Sequence, residues 1–349
     1  MGAAEKMIGL NLPGEWRVLS QMPISTHGTG GNFSVGYVVE NRDGRRAFLK
    51  ALDFSRALRT ADPARALQTL TETFNFERDV LNKCKHMDRV VTAITDGSVK
   101  VNDAADGVVQ YLIFELADGD ARSQADVSRQ FDLAWALRAL HHVATGIQQL
   151  HSENIAHQDL KPSNVLVFAK RISKIADLGR AAYKGHIPPH DKEKVAGDPT
   201  YAPPELLYGF LDPDWNRRRL GCDVYLLGSM TVFFFTGAGT TAQLLKYLHA
   251  SHKWGVWSGS YDDVLPYVRS AFEETISDFK KVLLSRFNDN VLAEELVAIV
   301  KQLCEPDPRL RGHQKNIFSQ SQQYSLERFV ARFDLLASRA EIGMFKKKH

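Results

Sequence analysis

The sequence predicts an α+β fold, with a strand-rich first third carrying one helix and a mainly helical remainder. Three observations predict it. β-Favouring residues alternate with turn residues over 24–52 and again over 90–114. Apolar residues recur at helical spacing over 131–151, and a continuous apolar run at 224–236 reads as a buried helix.

The elements follow in order. Residues 1–22 form a lead-in with one short strand at Trp16-Arg17-Val18-Leu19. Gly28-Thr29-Gly30-Gly31-Asn32-Phe33-Ser34 is a glycine-rich turn. A strand at 35–40, a hairpin turn at Asn41-Arg42-Asp43-Gly44 and a returning strand at 46–52 come next. Glycine in such a turn lets backbone N–H groups approach phosphate without a Cβ in the way. The returning strand carries Lys50, which would point back toward the same phosphates. The Asp62-Pro63 start and the spacing of Phe76, Val80, Leu81 and Cys84 predict a helix over 61–84. Residues 90–94 and 108–114 read as two more strands, with a turn at 103–107. Glu115-Leu116-Ala117-Asp118-Gly119 then punctuates the chain. Beyond it, Leu133, Leu137, Leu140, Val143, Ile147 and Leu150 line one face of a helix. A final helix is expected over 325–338.

With 349 residues the chain fits one large domain or two lobes, and its apolar content suffices for a core. A net charge of +3 gives no reason to invoke nucleic acid. Cys84, Cys222 and Cys304 are far apart and form no Cys-x-x-Cys pair, so disulfide and metal readings are weak and a reducing, cytoplasmic setting is expected. No membrane is expected either. The N-terminus lacks the apolar region of a signal peptide, Lys6 stands where a myristoylation motif needs Ser or Thr, and 224–236 is too short to span a bilayer.

The densest chemistry lies at His157-Gln158-Asp159-Leu160-Lys161-Pro162-Ser163-Asn164 and Asp177-Leu178-Gly179. Between them, 165–168 and 173–176 read as short strands joined by a turn, a hairpin that brings Asn164 close to Asp177. An Asn oxygen beside an Asp carboxylate is a hard-oxygen site suited to Mg2+. Asp159 can take a proton from a hydroxyl nucleophile, and Lys161 can neutralise charge on a phosphoryl group in transit.

This stretch resembles the catalytic loop and magnesium motif of eukaryotic-type serine/threonine protein kinases, His-Arg-Asp-Leu-Lys-x-x-Asn and Asp-Phe-Gly. Gln158 replaces the Arg and Leu178 the Phe. The resemblance covers roughly 20–315. It implies a two-lobed fold: a small nucleotide-binding lobe at 23–117, with an antiparallel sheet and one helix, then a larger mainly helical catalytic lobe at 118–338 and a basic tail at 339–349. ATP and Mg2+ are the implied cofactors, with ATP between the lobes.

The resemblance implies roles as well. Asp159, Lys161 and Asn164 are catalytic. Gly28, Gly30, Val35, Lys50, Glu77, Glu115, Ala117 and Asp177 serve the nucleotide, with Glu77 pairing Lys50, Glu115 and Ala117 at the hinge and Phe114 behind the adenine. Asn164 and Asp177 hold the metal. The segment Gly197-Asp198-Pro199-Thr200-Tyr201-Ala202-Pro203-Pro204-Glu205 resembles the part that receives a peptide substrate, so the substrate is a protein. Lys161 favours Ser/Thr over tyrosine. Asp223 looks like the anchor of the catalytic-loop backbone, and Arg311 like the partner of Glu205. Regions 209–221 and 237–290 are longer than the family's plan, and the second is expected to offer a surface to a regulatory partner.

Two rival readings are a pseudokinase acting as a nucleotide-binding scaffold and a small-molecule kinase. The presence of Lys50, Glu77, Asp159, Asn164 and Asp177 together weighs against the first, and the peptide-receiving segment against the second. One further expectation concerns regulation. With Gln158 in place of Arg, and no Ser or Thr over 178–199, activity should not require phosphorylation there. Either Asp191 and Glu193, against nearby lysines, or a partner on the 237–290 region is expected to order that segment instead.

Overall fold

The computed structural model describes residues 2–23, 34–101, 107–125, 131–287, 289–318 and 322–343. These form two compact units, Met1–Asp118 and Gly119–His349.

The first unit is an antiparallel sheet with one long helix. β1 (Asn11–Leu12), β2 (Trp16–Gln21), β3 (Ser34–Glu40) and β4 (Arg46–Leu52) precede the helix α1 (Pro63–Lys83), and β5 (Ala93–Lys100) and β6 (Val108–Glu115) follow it. The strand order is β1-β2-β3-β4-β6-β5. The β3–β4 turn is built by Asn41, whose side-chain oxygen accepts from Asp43 N and Arg45 N at 3.1 and 2.9 Å. Asp62 caps α1 by accepting from Arg65 N, with Pro63 in the first turn.

Three readings of this unit change. The lead-in is part of the core: Ala3, Ala4 and Met7 pack with Trp16, Tyr37 and Tyr111, and Tyr37 Oη donates to Ala4 O at 2.6 Å. Phe74, not Phe76, joins Val80 and Leu81 on the buried face of α1, because it shares that face with Glu77 and Leu81. The fifth strand, expected over 90–94, starts at Ala93 and runs on through Asp96-Gly97-Ser98 to Lys100. Pairing with β6, Ala93↔Phe114 to Lys100↔Val108, overrides local preference at the sheet's edge.

The second unit is mainly helical. It opens with β7 (Gly119–Asp120), α2 (Ala121–Gln124) and α3 (Leu133–Ser152), and Asp132 caps α3 through Trp135 N. β8 (Ile155–Ala156), β9 (Val165–Phe168), β10 (Ile172–Ile175) and β11 (Ala182–Tyr183) form two small sheets, β10-β9-β7 and β11-β8. The remaining helices are α4 (Pro204–Leu207), α5 (Gly221–Thr236), α6 (Thr240–Tyr247), α7 (Tyr261–Phe287), α8 (Asn290–Leu303) and α9 (Glu327–Glu341).

The predicted apolar face of α3 is buried at all six positions. α5 is buried on every side from Gly221 to Phe235, as its unbroken apolar sequence demands. Gly237 ends it with a left-handed φ of 80°. No single helix among the described residues is long and apolar enough to cross a membrane. The enlarged 237–290 region is mostly α6 and α7. Its connecting stretch is an aromatic cluster, with His252 stacked on Tyr267 at 3.8 Å and Trp254 edge-on to Tyr208. All three cysteines are buried, and burial pushes the Cys304 thiol up to about 12.

Candidate active site

Within the first unit, β4 and α1 bring Lys50 and Glu77 together. Lys50 Nζ lies 2.8 and 2.9 Å from the two carboxylate oxygens of Glu77. The Glu77 side chain is 5% exposed and that of Lys50 25% exposed, so the carboxylate fixes the ammonium from the buried side. Val35 on β3 is half-buried and pairs with Ala51. At the end of β6 the Glu115 carboxylate accepts from Thr92 N at 2.7 Å, which ties this strand end to the chain leading into β5. Ala117 is half-buried, and Phe114 is buried with its ring 6.3 Å from that of Phe48. Gly28 and Gly30 lie outside the described residues.

Within the second unit, the hairpin of β9 and β10 does the positioning. Val165 pairs with Ile175, and Ala176 N donates to Asn164 O at 2.8 Å. Asn164 and Asp177 therefore flank the same end of the hairpin. Both Gln158 and Asp177 adopt left-handed backbone, with φ of 65° and 64°. Such conformations cost about 1–3 kcal/mol each for non-glycine residues and persist where the surroundings impose them. Asp223, fully buried at the start of α5, does the imposing at the first: its oxygens accept from His157 N and Gln158 N, both at 2.7 Å, and meet His151 Nε2 at 3.0 Å. His157 bridges the two motifs. Its Nε2 donates to Ala176 O at 2.9 Å, and its Nδ1 accepts from Asp159 N at 3.2 Å.

The carboxylate of Asp159 is gripped by three donors. Lys161 Nζ is 3.0 Å away, Asn164 Nδ2 3.1 Å and Asp198 N 2.7 Å. Lys161 is only 3% exposed, and the Asp198 carboxylate stands 3.7 Å from it as a second counter-charge. The residue before Asp198 must be glycine. A Cβ on Gly197 would sit 2.4 Å from Gln158 O and 2.7 Å from an oxygen of Asp159. Asp198 thus contacts the catalytic loop through both its backbone and its side chain.

Asn164 commits its amide nitrogen to Asp159 O and Oδ2, which turns its carboxamide oxygen the other way. That oxygen and the carboxylate of Asp177 are both hard oxygens from residues at the same end of the hairpin, a donor chemistry that suits Mg2+ rather than a soft metal. Among the described residues, no group of three or more His, Cys, Asp or Glu side chains is arranged to hold a metal.

The segment after Gly179 corrects one reading. Asp191 and Glu193 are held by arginines, not lysines. Arg180 meets Glu193 at 3.1 Å on the surface, and Arg219 and Arg218 meet Asp191. A guanidinium presents its N–H donors in a rigid planar fork that can bridge two acceptors at fixed geometry, whereas an ammonium is a point charge on a flexible four-carbon stem. Gln158 joins the same network: its Nε2 donates to Arg180 O at 2.9 Å and its Oε1 accepts from Arg219. Arg219 was not singled out by sequence. The only signal for it was the run Arg217-Arg218-Arg219 in a region longer than expected. His190, 3% exposed beside this cluster, has its pKa lowered to about 4 by burial and by Arg180 and Arg219.

Glu205 and Arg311 form a bidentate pair at 2.6 and 2.8 Å, and Arg311 is fully buried. The same guanidinium donates to Glu305 O and Gly221 O, so α4, α5 and the loop after α8 are joined through one side chain.

The protein kinase domain family model matches residues 24–321. Among curated proteins, the chain is similar to the serine/threonine-protein kinase PknA of Mycobacterium tuberculosis, 29% identical over 225 residues, covering 63% of this chain and 46% of that protein. It is similar to the Aurora/IPL1-related protein kinase 2 of Caenorhabditis elegans, 28% identical over 128 residues, covering 36% and 39%. It is similar also to the serine/threonine-protein kinase PTK2/STK2 of Saccharomyces cerevisiae, 26% identical over 194 residues, covering 51% and 23%. The chain spans less than half the length of each of these relatives.

Proposed function

This chain belongs to the protein kinase domain family, and from that premise we propose that it transfers the γ-phosphoryl group of ATP to a Ser or Thr hydroxyl of a protein substrate. The observation that carries this reading is the Asp159–Lys161–Asn164 cluster, ordered from three sides and buried. Its Asp is placed to accept a hydroxyl proton and its Lys to meet charge on the transferring group. Asn164 and Asp177 would hold Mg2+, and Lys50, fixed by Glu77, would hold phosphate oxygens. When bound, Mg2+ and ATP supply a charge-neutralised phosphoryl donor. The protein's own contribution is position and charge: the carboxylate of Asp159 is pre-oriented, and the ammonium of Lys161 is kept beside it.

The reading includes activity without phosphorylation of 178–199. Tyr183 is the sole hydroxyl side chain in that stretch, and the stretch is tied down by its own ion pairs. Two of the departures that invite a pseudokinase reading, Leu178 and Gln158, have partners that fit them: Leu178 is fully buried, and Gln158 has partners on both sides of its amide.

The test is phosphotransfer from ATP to generic Ser/Thr protein substrates with Mg2+ present or chelated. Asp159→Asn is expected to lower kcat by at least about a thousandfold, the scale of removing a positioned acid–base group together with its charge. A parent protein that binds ATP but phosphorylates nothing, with Asp159→Asn indistinguishable from it, would favour the scaffold reading.

A further inference from the structure

Five facts converge on one contact. Arg219 lies in the short π-helical segment Asn216–Leu220 that runs into α5 and is 4% exposed. One of its nitrogens donates to Gln158 Oε1 and another to an oxygen of Asp191. Gln158 is the residue immediately before Asp159, and its backbone N is already pinned by Asp223. Its other amide atom donates to Arg180 O, in the segment that carries Asp191. Arg218 adds a bond of 2.7 Å to Asp191 O. The guanidinium therefore spans from the catalytic loop to the middle of the segment following the magnesium motif.

We infer that Arg219 is a positioning residue for phosphotransfer: it clamps Gln158 to Asp191 and so orders the 180–197 segment through an internal carboxylate. The inference rests on the kinase reading above. Charge explains why such a clamp needs Gln at 158. A guanidinium buried away from water must be compensated by hydrogen bonds and counter-charge. Arg219 finds one carboxylate and one neutral amide oxygen. A second guanidinium at 158 would offer it donors where it needs an acceptor, and two cations would compete for Asp191. The clamp also explains why the carboxylate suffices. The Asp191 side chain is 39% exposed, so it brings a full charge to the contact while staying partly open to water. Asp198 N and the Gly197 backbone, pressed against Asp159, lie at the far end of the same segment, so slack at 191 reaches the carboxylate that does the chemistry.

The experiment reads two signals: kcat at saturating ATP, and the rate of tryptic cleavage after Lys184, Lys192 and Lys194, which are exposed on the segment. Asp191→Asn and Arg219→Met should each lower kcat by about tenfold or more, the scale of misplacing a catalytic group. KM for ATP should hold within about twofold, since uniform binding is untouched, and cleavage should speed up. Gln158→Arg, which restores the family's usual residue, should act in the same direction. Combining it with Arg219→Gln exchanges guanidinium and amide and should recover both signals. A merely structural Arg219 would show lost melting temperature without that recovery. Parental kcat and parental cleavage in Asp191→Asn and Gln158→Arg would overturn the clamp. If the parent itself has no phosphotransfer, the functional reading fails, and cleavage alone still decides the clamp.

Discussion

Two arginine–carboxylate contacts in the second unit look alike in sequence terms and differ in kind. Glu205–Arg311 is closed: the guanidinium is fully buried, bidentate at 2.6 and 2.8 Å, shared with three backbone carbonyls, and stacked 5.1 Å over the Tyr225 ring. Asp191–Arg219 is half open, with a buried cation and a carboxylate 39% exposed. The first joins helices that have no reason to part. The second joins a catalytic loop to a segment rich in Lys, Pro and Gly, with a short contact and a hydrated partner. Burial on both sides makes a fixture, whereas burial on one side makes a contact that can open without unfolding the core.

The largest effect should follow from breaking the closed contact. Arg311→Ala leaves the Glu205 carboxylate, itself 4% exposed, without its counter-charge. A loss of about 3–5 kcal/mol is expected, read from denaturant unfolding. A loss below about 1 kcal/mol would show the contact to be dispensable and erase the contrast.

An intermediate effect is expected from acid on the open contact. His190 has a folded pKa of about 4, below its ordinary value of 6.5, because burial and the cations Arg180 and Arg219 disfavour its charged form, with Asp191 opposing them only in part. A depressed folded pKa means that the unfolded state binds the proton more tightly. Its contribution is therefore fully present above pH 6.5, falls as pH drops below it, and is gone below about pH 4. The amount at stake is up to about 3 kcal/mol. Hydrogen exchange across 186–196 should quicken as pH drops from 6.5 to 4, after correction for intrinsic rates. A flat profile would remove His190 from the account.

The smallest effect on stability belongs to Asp191→Asn. The amide that replaces the carboxylate still offers Arg219 an oxygen to donate to, and Arg219 keeps Gln158, so the loss should stay below that of Arg311→Ala, at about 1–3 kcal/mol, although activity falls. A loss as large as that for Arg311→Ala would make both contacts fixtures.

What the sequence disclosed follows the range of the interactions. The hairpin joining Asn164 to Asp177 is local, so offsets within 157–179 sufficed to place both residues at one end of it. The α3 face and the buried α5 were legible because their periodicity or uniformity is written in consecutive residues. Ala3, Ala4 and Met7 were not, since an irregular segment with two-residue strands carries no period, and its burial is decided by Tyr37 and Trp16 far along the chain. Arg219 was missed for the same reason. Its partners lie 61 and 28 residues away, and an arginine in a run of three reads as a solvated surface. Phe74 was passed over for Phe76 because both fit a helix, and only the packed sheet decides which turns inward.

The proposal at stake is that phosphotransfer proceeds with 178–199 unmodified, the segment being ordered by Arg219, Asp191 and Gln158. The measurement that tests it most directly is the initial rate of phosphotransfer after phosphatase treatment, with mass spectrometry showing residues 178–201 free of phosphate. The account predicts a rate equal to that of the untreated protein, and an unchanged rate again in Tyr183→Phe. A rate that collapses on dephosphorylation and returns when Tyr183 or Thr200 is phosphorylated would contradict it.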